Sequence, residues 1–198
     1  MTAHRPSRRH PVDEHGDPLT FALSGLMAEV PGTVRDYDLV DVDVDPGDGL
    51  RLAQPVAGLV RLTRTNRGLV LDAKLTTALH GECARCLRPV VTPLTLRIEE
   101  EVLPTIDLGS GLPVPLEEDA DPEAPRLTDH HELELRPLVA EAINLAEPIA
   151  PLCRPDCPGL CLECGARLVP GHVHEGDDID PRLEALRAFR VDAGADTE

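Results

Sequence analysis

Six cysteines carry the chemistry available to this chain. Four lie within twelve residues, in Cys153-Arg-Pro-Asp-Cys157-Pro-Gly-Leu-Cys161-Leu-Glu-Cys164-Gly165, and the other two form the upstream pair Cys83-Ala-Arg-Cys86. Thiolates at such short spacings are ligands for a tetrahedral ion, Zn2+ before others. Cys161-x-x-Cys164-Gly165 reads as a zinc knuckle, a tight turn that aims two sulfurs at one ion and is followed by a glycine that tolerates the backbone it needs. Two arrangements satisfy the spacing. The four downstream cysteines can close one site by themselves. Alternatively, Cys161 and Cys164 bind with His172 or His174, and Cys153 and Cys157 join Cys83 and Cys86, so that two ions share eight ligands.

Other chemistries fare worse. Cys83-x-x-Cys86 can be read as a thiol–disulfide couple, with Arg85 and Arg88 lowering the thiol pKa. That motif belongs at a helix N-terminus in a βαβ unit, and this pair sits between expected strands. His130-His131 beside Glu132 and Glu134 lacks the spacing of a His-Glu-x-x-His metallohydrolase and reads as a polar lead-in to a helix. No phosphate-binding glycine loop and no Gly-x-Ser-x-Gly nucleophile elbow occurs, so neither a nucleotide cofactor nor a catalytic residue is expected.

The elements that must position the thiols are written in the apolar pattern. The 198 residues include no Trp, one Tyr and two Phe, so the core must be aliphatic, and base stacking on aromatics has no platform. Within residues 37–45, apolar and acidic side chains alternate from Val40 onward, the period of a half-exposed strand. Strand-like runs at 56–65, 69–79 and 90–103 follow, with Asn66-Arg67-Gly68 as a turn and Leu94, Leu96 and Ile98 on one face. The expected fold is α+β: an antiparallel β meander or partly closed barrel with a few helices and a C-terminal zinc-knuckle segment. Its domain plan is a disordered arm at 1–18 and a single domain at 19–190, then a frayed tail at 191–198. The domain includes an acidic loop at 105–131 and a metal-binding segment at 153–174. Pro137 opens a helix with Leu138, Val139, Ala142, Ile143 and Leu145 as its apolar set, and Asp180-Pro181 opens another with Leu183, Leu186 and Phe189.

Charge is uneven. Residues 51–97 hold 8 basic and 2 acidic side chains inside a chain of net charge −17. Arg61, Arg64, Arg85 and Arg88 belong to that basic segment and are its candidates for RNA contact. The plainer reading is a solvated sheet face that balances its acidic neighbours. Residues 98–135 hold 12 acidic side chains against Arg126 alone, which suits a basic protein partner better than phosphate. No segment nears the ~20 apolar residues of a membrane span. The opening residues 1–17 lack the apolar stretch of a secretory signal, so a cytoplasmic setting is expected.

Taken in order, Cys83-Ala-Arg-Cys86-Leu87-Arg88-Pro89, the Pro137-Leu-Val-x-Glu-Ala helix, Cys153 to Gly165 and Asp180-Pro-Arg-Leu-Glu-Ala-Leu-Arg-Ala-Phe189 resemble the YceD family, named for large ribosomal RNA subunit accumulation. The resemblance implies a cytoplasmic bacterial or plastid protein, non-enzymatic, needed for accumulation or processing of large-subunit ribosomal RNA. Its partner would be precursor ribosomal RNA or a basic ribosomal protein. Relatives with the full cysteine set often carry Cys-x-Cys where this chain has His172-Val-His174, an exchange that keeps ligand chemistry. Others lack the downstream cysteines, which makes the metal a scaffold of this branch. With four thiolates per ion no coordination position stays open, so one or two structural Zn2+ ions are expected. The competing expectation is a zinc-linked redox sensor built on Cys83 and Cys86.

Overall fold

The computed structural model describes residues 8–10, 17–115, 124–173 and 182. Most of the expected N-terminal arm, residues 116–123 of the acidic loop, His174, all but one residue of the expected C-terminal helix and the 191–198 tail lie outside the described residues. The chain divides into two compact units, Met1–Cys157 and Pro158–Glu198.

The first unit is built on β1 (Arg8–His10), β2 (Thr20–Ala22), α1 (Ser24–Met27), β3 (Val34–Val42), β4 (Arg51–Arg64), β5 (Leu69–Glu82), β6 (Pro89–Val102), β7 (Glu132–Glu134) and α2 (Arg136–Leu145). Five strands form one sheet in the order β1-β3-β4-β5-β6, antiparallel except for the β1–β3 pairing. β2 and β7 form a separate antiparallel pair. Among the described residues the sheet is open, with β6 at one edge, so the barrel alternative is corrected to an open meander. The β5 alternation explains the two-layer build: Leu69, Leu71, Ala73 and Leu75 are buried, while Val70, Lys74 and Thr76 are exposed. That inner face packs with Leu94, Leu96 and Ile98 of β6 against Leu19, Phe21, Leu26, Leu133, Val139 and Ile143 from the small strands and helices.

Two irregularities bend this sheet. At Asp41, with φ +50°, the β3–β4 register slips. Tyr37 and Leu39 point inward before the slip, Val42 and Val44 after it, and Val40 is left exposed. The alternation expected from Val40 onward therefore begins one phase late. On β4 the ladder shifts twice between Leu52 and Ala57. Next to it Gly58 adopts φ +150°, and a Cβ there would lie 2.2 Å from the Lys74 carbonyl oxygen. Only glycine fits, because β4 and β5 meet backbone to backbone at this point.

The long β5–β6 hairpin places the upstream cysteine pair. Its strands pair without interruption from Leu69↔Val102 to Glu82↔Pro89, so residues 83–88 form its tip. Helix α2 carries Pro137 in its first turn and buries Val139 and Ile143. Leu145, expected on its apolar face, is instead 80% exposed.

Candidate metal centres

The hairpin tip and the downstream turn are the same structure built twice. At the tip, the Leu87 N–H donates to the Cys83 carbonyl (2.9 Å) and the Cys83 N–H donates to the Arg88 carbonyl (2.8 Å). In the second unit, the Gly165 N–H donates to the Cys161 carbonyl (2.9 Å) and the Cys161 N–H to the Ala166 carbonyl (2.7 Å). The residue after the second cysteine is left-handed in both, Leu87 at φ +55° and Gly165 at φ +70°. The upstream pair thus sits in the same turn as Cys161-x-x-Cys164. Leucine in the glycine position hides it from a motif reading, and the Cys-x-x-Cys between two strands is the signal that remains.

Segment 151–157 is docked on this tip. The Ala84 N–H donates to the Pro151 carbonyl (2.8 Å), and Arg85 Nη1 donates to the Cys157 carbonyl (3.0 Å). These contacts bring Cys153 and Cys157 to Cys83 and Cys86, with all four sulfurs within 4.8 Å of one another. The Cys83–Cys157 and Cys86–Cys153 sulfur distances are each 3.8 Å. A tetrahedral ion with Zn–S bonds of about 2.3 Å holds its sulfurs about 3.8 Å apart. A disulfide would bring two sulfurs to about 2.05 Å, and none of the six cysteines forms one. Cys83, Cys86 and Cys157 are buried and Cys153 is half-buried. The donor set fits Zn2+ and leaves no ligand position for a substrate.

The protonation of this cluster without metal is lopsided. Cys83 is brought down to about 6, chiefly by the hydrogen bond from the Cys153 backbone N–H, with the Arg85 and Cys86 N–H groups adding to it. Cys153 is pushed up to about 12 by burial first and by its thiol neighbours second. The cluster therefore favours the thiolate at Cys83 and the thiol at Cys153.

The second cluster joins Cys161, Cys164 and His172 within 4.8 Å. Cys164 Sγ and His172 Nε2 lie 3.6 Å apart. Zn–S and Zn–N bonds of about 2.3 and 2.05 Å at a tetrahedral angle require about that separation. The Cys164 and Glu163 backbone N–H groups bring Cys161 down to about 7, with the His172 ring contributing less. Cys164 is exposed, which separates this cluster in kind from the first. The arrangement in which Cys153, Cys157, Cys161 and Cys164 share one ion does not match either grouping.

The four candidate arginines are not gathered in one place. Arg61 holds the buried Asp36 with two hydrogen bonds of 2.8 and 3.0 Å. Arg64 donates to the carbonyls of Met27 (3.1 Å), Gly68 (2.9 Å) and Thr65, tying α1 to the β4–β5 turn. Arg85 holds the metal loop. Only the exposed Arg88 has a side chain with no structural partner among the described residues. His131 is buried, its Nε2 3.0 Å from the Ile106 carbonyl, and plays a structural part.

Comparison with known proteins adds what geometry does not. The model of the family described as "Large ribosomal RNA subunit accumulation protein YceD" matches residues 71–190. Uncharacterized proteins of Mycobacterium tuberculosis and Mycobacterium bovis are each 37% identical over 167 residues, covering 82% of this chain and 73% of theirs. One from Mycobacterium leprae is 33% identical over 163 residues, covering 81% and 67%. No solved structure matches.

Proposed function

The chain belongs to the YceD family, and from that premise we propose that it is a cytoplasmic, non-enzymatic factor for accumulation of large-subunit ribosomal RNA, scaffolded by two Zn2+ ions. Cys83, Cys86, Cys153 and Cys157 hold the first ion. Cys161, Cys164 and His172 hold the second, with His174 as the fourth ligand. The observation that carries the zinc reading is the 3.8 Å sulfur spacing in a buried cluster drawn from two distant segments. The role in ribosomal RNA rests on the family. Among the described residues no helix is long and apolar enough to cross a membrane.

When bound, the first ion neutralises thiolates that burial would otherwise disfavour and locks segment 151–157 to the hairpin tip. Arg88 stands beside it, exposed, and is where contact with precursor ribosomal RNA is proposed. Arg61, Arg64 and Arg85 are already committed to the fold, and replacing them would test folding before it tested RNA. The redox reading of Cys83 and Cys86 is the weaker one, because both thiols are buried from an oxidant. Retention of two zinc ions and all six thiols under peroxide would remove it.

The experiment is genetic complementation. In a bacterium deleted for this gene, the ratio of large- to small-subunit ribosomal RNA falls, and the wild-type chain restores it. Arg88→Glu restores it only in part, while keeping its zinc. A ratio that deletion leaves unchanged would refute the ribosomal role.

A further inference from the structure

Among the described residues strand β6 is one edge of the main sheet, and its second half faces a groove of about 470 Å³ shared with α2. Six consecutive β6 residues, 95–100, line it. Neighbouring residues of a strand point to opposite faces, so a consecutive run can line a groove only if the strand's backbone edge forms the wall. Such an edge offers unpaired N–H and C=O groups to an added strand. Pro93 removes a donor from the first half of β6, which leaves the grooved half as the usable part.

The other wall and the rim say what would fit. Leu138, Ala142 and the 80% exposed Leu145 supply an apolar side. Glu99, Glu100 and Glu141 supply three carboxylates, of which Glu99 pairs with Arg97. Glu100 and Glu141 meet no cation among the described residues. Phosphate is repelled by such a rim, whereas a lysine or arginine side chain completes it. Protected edges also carry charges simply to prevent pairing. That plainer account explains the glutamates on β6 but not Glu141, nor an exposed leucine on α2 beside them.

We propose that this groove binds an extended Lys/Arg-rich segment of a partner protein, which adds a strand to β6, seats an apolar side chain against Leu145 and pairs its cations with Glu100 and Glu141. Basic segments are what RNA-bound proteins use to neutralise phosphate. Holding one before it reaches RNA gives the proposed ribosomal role a protein partner. The proposal rests on that role only for its biological setting. A peptide assay can fail while the ribosomal RNA readout holds, and the reverse.

The test uses the zinc-loaded full chain and a labelled nine-residue peptide alternating lysine and valine, with a glutamate–valine peptide and oligouridine as controls. The lysine peptide binds saturably and slows amide exchange at residues 95–100. The double substitution Glu100→Lys, Glu141→Lys weakens it about tenfold or more without loss of zinc. Should that variant fold poorly, Leu145→Ser, which removes the apolar contact at an exposed site without changing charge, gives an independent reading, again with weaker binding. Undiminished binding by both variants, protection elsewhere, oligouridine protecting the same amides, or no saturation would each overturn the proposal.

Discussion

Leu87 shows how a residue can disguise a motif. It occupies the left-handed position that Gly165 fills in the second knuckle, and it is 55% exposed, so packing does not compensate its strain. A left-handed non-glycine residue costs about 1–2 kcal/mol, and glycine gives back part of that through the unfolded chain. Leu87→Gly is expected to stabilise the zinc-loaded protein by up to about 1 kcal/mol in urea unfolding. The cysteines set a second expectation at this scale. Cys83 lies below its ordinary value and Cys153 above it, so zinc bound at this cluster displaces a proton from Cys153. Zinc affinity, read by competition with a chromophoric chelator, therefore rises with pH between 6 and 8; a flat profile would contradict the assignment. The cysteine types and spacings were legible in the sequence. Their partners were not, because the choice is made by the Ala84 and Arg85 contacts to segment 151–157, which spacing does not encode.

Among the elements, the long strands were legible because β5 and β6 keep a period of two on their buried face and β4 is rich in β-forming residues between turn signals. What escaped was phase and commitment. The bulge at Asp41 turns Val40 outward, and no residue type announces it. The arginines read as an open basic face, yet Arg61 and Arg64 are spent inside the fold. Arg64→Ala would take the side-chain donor from the carbonyls of Met27 and Thr65 and leave Gly68 only its bond from the Thr65 N–H, and a cost of about 2 kcal/mol is expected, measured as a lowered urea midpoint at unchanged slope. Gly58→Ala is expected to cost more, because its Cβ meets the rigid Lys74 carbonyl and β4 must leave β5 to admit it. A Gly58→Ala protein as stable as wild type would mean that β4 and β5 approach less closely than a 2.2 Å Cβ-to-carbonyl clash requires.

For the whole molecule, sequence and structure agree on a division of labour. An aliphatic sheet supplies the frame, and in the proposed reading metal at the two cysteine clusters supplies what a core without tryptophan and with three other aromatics does not. The −17 charge is concentrated after residue 97 and repels phosphate, whereas Arg88 at the hairpin tip is exposed. Family membership was legible from motif order, whereas the open edge and the groove on β6 became visible only once α2 was placed. The central claim is that two separate Zn2+ ions hold this chain together, and native mass spectrometry of the purified protein tests it most directly. The wild-type chain is expected to carry two zinc ions, Cys83→Ser to keep only the Cys161–Cys164–His172 ion, and Cys161→Ser to keep only the buried one. A single ion that survives Cys83→Ser and is lost in Cys161→Ser, or a folded chain with no metal, would contradict it.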